Sequence, residues 1–171
     1  TASAHQRVMV IEVMGHKAGW IALHSGMAGG GDIILLPEIP FDIHRIGDAI
    51  INRLKKGKPY SIVVVAEGIP TIGGKKAAQY IAEEIEYETG FETRETVLGY
   101  IQRGGSPTAY DRNLATRMGG HATELIAQGM FGRMVALKGN AIESVPLSEV
   151  ASKLKLVTED HDLVVQGRRM G

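Results

Sequence analysis

Hydrophobic residues in this chain fall into short apolar runs that alternate with stretches of helical periodicity. Three runs rich in β-branched residues predict strands, at residues 8–13, 33–36 and 60–66. Runs that are apolar on both faces are typical of strands buried between two helix layers in a parallel sheet. The pattern therefore predicts one buried sheet that contains these three strands.

Helical periodicity fills the segments between and after these runs. A stretch through Trp20 and Met27 ends at the glycines 29–31, which can terminate a helix. Further elements are predicted in chain order: helices at about 42–56 and 75–88, a β-type run before Gly99, a helix at 110–128, a strand at 133–137, and a less regular tail over 141–171. Alternation of strand and helix predicts an α/β three-layer sandwich with a mainly parallel sheet and right-handed crossovers.

Polar or flexible residues follow three of the predicted strands. Met14-Gly15-His16 follows the first strand, Glu67 follows the third, and Tyr100 to Gly105 follows the β-type run that carries Arg94. Ligands of open parallel sheets bind at the carboxyl ends of the strands, so these groups converge if all the strands are parallel. The sequence leaves the direction of the fourth strand open.

Two arginines, Arg94 and Arg103, flank the end of the β-type run, and Gly104-Gly105 follows. Guanidinium groups grip phosphate oxygens in pairs, and glycines let main-chain N–H groups turn toward an anion. Taken by spacing alone, two solvated arginines beside a turn are an equal alternative. The pattern is thus compatible with a phosphorylated ligand without requiring one.

Composition and charge restrict the classes of function. The 171 residues fit one domain, and 19 basic residues balance 19 acidic ones, so no overall field favours nucleic acid or an anionic membrane. The chain has no cysteine, its six histidines lack metal-ligand spacing, and no Gly-x-Ser-x-Gly elbow occurs. We expect a soluble cytoplasmic protein without protein-ligated metal, and the two ends look like cuts through a longer polypeptide.

The segment 92–112 carries a resemblance to a known family. Its order of arginine, Leu-Gly, Gln-Arg-Gly-Gly, Ser-Pro and Asp-Arg resembles the substrate-binding segment of the phosphofructokinase family. Met14-Gly15 is similar to the Val-Met-Gly turn of that family. The resemblance covers nearly the whole chain and corresponds to the C-terminal half of a subunit. It implies transfer of a phosphoryl group from ATP, or in some branches pyrophosphate, through Mg²⁺ to the 1-hydroxyl of fructose 6-phosphate.

The resemblance also implies roles for single residues. The backbone of Met14-Gly15 meets the sugar phosphate, and Glu67 accepts hydrogen bonds from sugar hydroxyls. Arg103 belongs to the same substrate site. Two positions depart from the common pattern, since His16 stands where many relatives have arginine and Tyr100 stands where histidine is frequent.

A shared active site is a further implication of the resemblance. Arg7 and Arg94 would reach across a subunit interface to the 6-phosphate bound by a neighbour, which makes a homo-oligomer, a dimer or a tetramer, the expected assembly. Bacterial allosteric members also carry an effector site. The positions that match it here are Gly30, Asp32, Lys56 and Lys58, although only one half of that site is present.

The donor loop Gly-Gly-Asp and the catalytic segment Thr-Ile-Asp-Asn-Asp of the family are absent from this chain. ATP or pyrophosphate, Mg²⁺ and the catalytic base therefore belong to the N-terminal half. We expect residues 1–110 to form the fructose 6-phosphate-binding domain and residues 111–171 to pack on the missing donor domain. The chain alone should be inactive. A non-catalytic sugar-phosphate or nucleotide sensor, and a structural subunit with interface duties only, remain alternatives.

Overall fold

The structure is a computed structural model that describes residues 7–170 of the chain. The strands are β1 (Val8–Val13), β2 (Ile33–Leu35), β3 (Ser61–Ala66), β4 (Thr93–Val97), β5 (Arg133–Lys138) and β6 (Ala141–Pro146). The helices are α1 (Trp20–Gly29), α2 (Ile43–Lys55), α3 (Ala77–Thr89), a 3-10 helix at Gly99–Arg103, α4 (Ala109–Ala127), α5 (Leu147–Val150) and α6 (Asp162–Met170). No helix among these residues is long and apolar enough to cross a bilayer.

Of the described residues, 7–103 and 155–170 form the first compact unit, which contains a four-stranded sheet of order β2-β3-β1-β4. All three pairings are parallel. Val8 lies opposite Ser61 on one side and Thr93 on the other, so β1 is flanked by β3 and β4. The fourth strand, whose direction the sequence left open, is thus parallel, and the carboxyl ends of β3, β1 and β4 meet at one edge.

Alternate residues of the central strands feed two separate cores. Val10 and Val63 pack on one face with Ile81 and Ile85 of α3, and α2 covers the same face. Val13 and Val64 point to the other face, which α1 and α6 cover. Helices on both faces of a parallel sheet explain why these strands are apolar on both sides. The predicted α/β three-layer arrangement is confirmed.

Helix starts in both units follow local capping chemistry. Asp42 precedes α2, and its carboxylate accepts a hydrogen bond from the backbone N–H of His44 at 2.9 Å. Thr108 and Asp111 form a reciprocal capping box at the start of α4. A side-chain oxygen at the N-cap satisfies a donor that has no partner within the helix, which is why these helices begin within a few residues of their predicted positions.

The second compact unit comprises residues 104–154. It contains α4, the antiparallel pair β5–β6 and the short α5, with Arg133 opposite Pro146. The prediction of a less regular tail over 141–171 is wrong, because residues 141–146 form β6 and residues 162–170 form α6. In this unit, which the structure describes in full, Leu125 is the one buried hydrophobic residue. The bounds of the second unit differ from the predicted division after residue 110.

Candidate functional site

The turn after β1 has a backbone that few residues could adopt. Gly15 has a φ of 148°, and a Cβ there would lie 2.5 Å from the carbonyl oxygen of Ala18. His16 has a φ of 53°, in the left-handed region that side chains other than glycine seldom occupy. Ala18 donates its N–H to the Gly15 carbonyl at 3.0 Å and closes the turn. The sequence Met14-Gly15-His16 therefore builds a tight turn at the end of β1.

Glu67, at the end of β3, holds this turn. Its Oε1 accepts hydrogen bonds from the backbone N–H of Gly15 at 3.0 Å and from that of His16 at 2.6 Å. Gly68 lies so close that a Cβ at its position would sit 2.2 Å from the His16 carbonyl oxygen. The strand ends of β1 and β3 are thus joined by one carboxylate and by direct backbone contact.

Gln102 joins the third strand end to the same turn. The backbone N–H of Met14 donates to its Oε1 at 2.9 Å, which places the 3-10 helix beside β1. Arg103 lies over the ring of Tyr100, with 4.8 Å between its Cζ and the ring centroid. Both side chains are exposed. We call this set the carboxyl-end cluster: Met14, Gly15, His16, Glu67, Tyr100, Gln102 and Arg103.

Several groups of the carboxyl-end cluster are available to a ligand. Within residues 7–170 no side chain or amide donates to Oε2 of Glu67, and no carboxylate lies within ion-pair distance of Arg103. A free carboxylate oxygen suits a hydroxyl group, and a free guanidinium suits a phosphate. The cluster can therefore bind a ligand that carries both.

Arg7 and Arg94 lie elsewhere in the sheet. Arg7 directly precedes β1, and its Nε donates to Glu92 at 2.6 Å. Arg94 donates to the other oxygen of Glu92, from its terminal nitrogen at 2.7 Å and from Nε at 3.1 Å. Hydrogen bonds from Arg7 and then from Arg94 hold the pKa of Glu92 below its ordinary value. We call these three residues the amino-end cluster.

The two clusters occupy opposite ends of the same strands. Arg7 and Met14 bracket β1, and an extended strand of that length separates them by about 23 Å. Arg94 lies beside Met9, near the start of β1. In the observed conformation, therefore, Glu92 holds both arginines away from the turn of Met14 and Gly15.

Three of the four residues predicted for an effector site line a cavity of about 360 Å³ in the first unit: Gly30, Asp32 and Lys58. Asp32 is already engaged, because one carboxylate oxygen pairs with Arg53 at 2.5 Å and the other accepts from the N–H of Ile62 at 2.8 Å. Lys56 is exposed and does not line this cavity. The arrangement gives Asp32 a structural contact and leaves the effector role a prediction.

Some residues that contact the predicted site residues were not themselves predicted. Gln102, Gly68 and Glu92 were not assigned to a site, although Gln102 stands inside the diagnostic string and Gly68 directly follows Glu67. Glu12 is also buried, and it accepts a hydrogen bond from the N–H of Ala78 at 2.8 Å. Over residues 7–170 no three His, Asp or Glu side chains come together as ligands for a metal ion. The side chains of residues 7–170 therefore do not fit a Mg²⁺ site.

The chain is similar in sequence to curated proteins. The chain is 81% identical, over its full length, to an ATP-dependent 6-phosphofructokinase 3 from Bacteroides thetaiotaomicron and spans 51% of that protein. It is 50% identical to an ATP-dependent 6-phosphofructokinase from Spirochaeta thermophila, again over the full chain and 51% of the relative. The chain thus spans about half the length of these curated relatives.

A solved structure gives the same result for the fold. A pyrophosphate-dependent phosphofructokinase from Marinobacter aquaeolei superposes with a TM-score of 0.78 and 27% identity, over 95% of this chain and 45% of that one. The family model described as phosphofructokinase matches residues 1–126. With this match over most of its length, the chain belongs to the phosphofructokinase family.

Proposed function

We propose that this chain supplies the fructose 6-phosphate site of a 6-phosphofructokinase whose donor site lies in an N-terminal half. The observation that carries the proposal is the joining of three strand ends by Glu67 and Gln102, which among residues 7–170 leaves Arg103 without a carboxylate partner and one Glu67 oxygen without a donor. Such a site offers a sugar phosphate a hydrogen-bond acceptor for a hydroxyl group and a charged hydrogen-bond donor for the phosphate group.

Individual roles follow from the free groups of the carboxyl-end cluster. Glu67 accepts a hydrogen bond from a sugar hydroxyl through Oε2, while its Oε1 keeps the turn in place. The Met14-Gly15 backbone contacts the sugar phosphate, and Arg103 and Tyr100 orient it. His16 is exposed beside this turn.

The amino-end cluster serves a neighbouring subunit in this proposal. About 23 Å of β1 separates Arg7 from Met14, and Glu92 holds the Arg94 side chain at the same end as Arg7. In this proposal both arginines therefore contact a sugar phosphate bound by a second chain. The phosphate then competes with Glu92 for the same guanidinium groups. A homo-oligomer with shared sites follows, and fructose 6-phosphate should bind more tightly as the chain concentration rises.

The rest of the proposed reaction lies outside this chain. Residues 104–154 expose Ile126, Phe131 and Leu147 and bury one hydrophobic residue, so they need a further apolar surface. We propose that the N-terminal half covers these exposed apolar residues, because the relatives are about twice as long as this chain. That half would hold the phosphoryl donor, its Mg²⁺ and the base.

The donor proposed is ATP, because the relative that is 81% identical is named ATP-dependent. Pyrophosphate is the second candidate, since the Marinobacter structure is described as pyrophosphate-dependent. Assays of the intact polypeptide with each donor distinguish the two. Fructose 6-phosphate binding without turnover on either donor would favour a sensor instead.

Calorimetry of the 171-residue chain tests the proposal directly. Fructose 6-phosphate should release binding heat and fructose should not, because the sugar without phosphate gives Arg103 no partner. Absence of heat at millimolar fructose 6-phosphate would contradict the proposal. The same chain should show no kinase turnover on its own, and measurable turnover would contradict the assignment of the base to the other half.

A further inference from the structure

Glu38 holds two segments of the first unit together. Its Oε1 accepts from the backbone N–H of Gly19 at 2.9 Å and from that of Val157 at 3.0 Å, and its Oε2 accepts from Gly19 at 3.1 Å. Gly19 is the N-cap of α1 and ends the turn that begins at Gly15. Val157 belongs to the segment that returns to this unit after residue 154.

That returning segment, residues 155–170, is named here the C-terminal strap. Trp20 donates its Nε1–H to the Lys155 carbonyl at 2.7 Å, and the Lys155 ammonium lies 5.3 Å from the centre of the same ring. His161 packs edge-on against Trp20 at 5.1 Å. Val157 and Val164 are buried in the core beneath α1. The strap is therefore bonded to the first turn of α1.

A carboxylate thus holds each end of the turn over residues 15–19, which we call the site turn. Glu67 binds the N–H groups of Gly15 and His16 at its start, and Glu38 binds that of Gly19 at its end. Hydrogen bonds from amides to a carboxylate are about twice as strong as neutral ones. Glu67 contacts the proposed ligand as well, whereas Glu38 contacts the strap.

We propose that Glu38 is a positioning residue that makes the geometry of the site turn depend on the docked C-terminal strap. The inference rests on the proposed function for the identity of the ligand, but the tether itself does not. Because the turn and the strap share one carboxylate, ligand binding at the turn and docking of the strap favour each other.

The test compares Glu38→Ala and Glu38→Gln with Ile81→Val in the full chain. Ile81 is buried on the opposite face of the sheet, so its variant loses stability without touching the tether. Hydrogen exchange of the Gly15, His16 and Gly19 amides reports on the turn. Emission of Trp20, the chain's one tryptophan, reports on the strap.

We expect Glu38→Ala to speed exchange at all three amides, to shift Trp20 emission and to weaken fructose 6-phosphate binding about tenfold. Glu38→Gln keeps one oxygen acceptor and should fall between Glu38→Ala and the wild type. Faster exchange at Gly15 and His16 supports the inference even where the wild-type chain binds no fructose 6-phosphate, a result that would overturn only the proposed function. Exchange at those amides equal to that in Ile81→Val overturns the inference.

Discussion

The carboxyl-end and amino-end clusters lie on the same strands and are organised in opposite ways. At the carboxyl end, Glu67 and Gln102 bind backbone amides and fix a shape, while Arg103 stays free of carboxylates within residues 7–170. At the amino end, the side chains of Arg7 and Arg94 both donate to the carboxylate of Glu92. One end presents a preformed surface, and the other presents charge that is already paired.

The difference indicates which cluster determines ligand shape and which adds affinity. A turn held by carboxylates and by close backbone contact has little freedom to adapt to a ligand. Arg94, which is exposed, and Arg7, which is half-buried, share one glutamate and can exchange that partner for a phosphate with little change elsewhere. Substitutions in the carboxyl-end cluster should therefore change the shape of the site, and substitutions in the amino-end cluster should lower its affinity.

The largest effect should come from the arginines in the intact polypeptide. Arg94→Ala should weaken fructose 6-phosphate binding by about 2–5 kcal/mol if the guanidinium is desolvated against phosphate. Arg103→Ala should also impair binding or positioning. The Michaelis constant for fructose 6-phosphate measures both effects. Arg45→Ala is the matched control, because its side chain is 89% exposed and its nearest carboxylate contact is a loose 3.9 Å.

Mixing the two variants turns the separation of the clusters into a measurement. Oligomers assembled from Arg94→Ala and Arg103→Ala chains should contain some sites with both arginines intact, and activity should return in part. Oligomers of a chain that carries both substitutions should stay inactive, because none of their sites has either arginine. No recovery on mixing would mean that both arginines serve one site in one chain, against the geometry of β1.

Gly68→Ala should have the next largest effect, because the new methyl would sit 2.2 Å from a backbone oxygen that side-chain motion cannot relieve. We expect about 1–3 kcal/mol of lost unfolding free energy, typical of overpacking, together with weaker ligand binding. Denaturant unfolding measures the loss. Gly29→Ala is the control, since nothing lies within 4 Å of its added methyl. Equal stability of the two variants would contradict the close contact.

Removal of the Tyr100 ring should have a smaller effect. The Arg103–Tyr100 contact is an exposed cation–π interaction, of the kind that contributes about 0.5–1 kcal/mol. Tyr100→Leu should weaken fructose 6-phosphate binding by that amount in calorimetry, because Arg103 loses its orientation. Tyr100→Phe keeps the ring and isolates the hydroxyl. Wild-type affinity in Tyr100→Leu would exclude an orienting role.

The smallest effect concerns the pH dependence of the amino-end cluster. The arginines hold the pKa of Glu92 below its ordinary value of 4.5 in the folded chain. The contribution of a carboxyl group with a lowered pKa is complete above that ordinary value and is lost as pH falls through the folded pKa. Carboxyl NMR titration should give a higher Glu92 pKa in Arg7→Ala and in Arg94→Ala. An unchanged titration would mean that the ion pairs do not persist in solution.

Much of the fold could be predicted because the relevant signals are local. Runs 8–13 and 60–66 became strands, and the helices predicted at about 42–56 and at 110–128 begin at Ile43 and Ala109. The strand at 141–146 was missed because it is only half-buried and its apolar run is interrupted by Glu143 and Ser144, so its pattern is weak until β5 pairs with it. Its formation depends on a partner strand rather than on its own residues.

The residue types and their order already specify the chemistry of this chain: two arginines, a glycine turn and a glutamate at a strand end, in an order that belongs to the phosphofructokinase family. Which of these groups meet depends on how the strands pair. Parallel pairing of β4 with β1 sent Arg103 toward the Gly15 turn and Arg94 to the opposite end. The physical reason is that a strand separates its two ends by its own length, whereas hydrogen bonds from distant residues determine which neighbouring strand ends are joined.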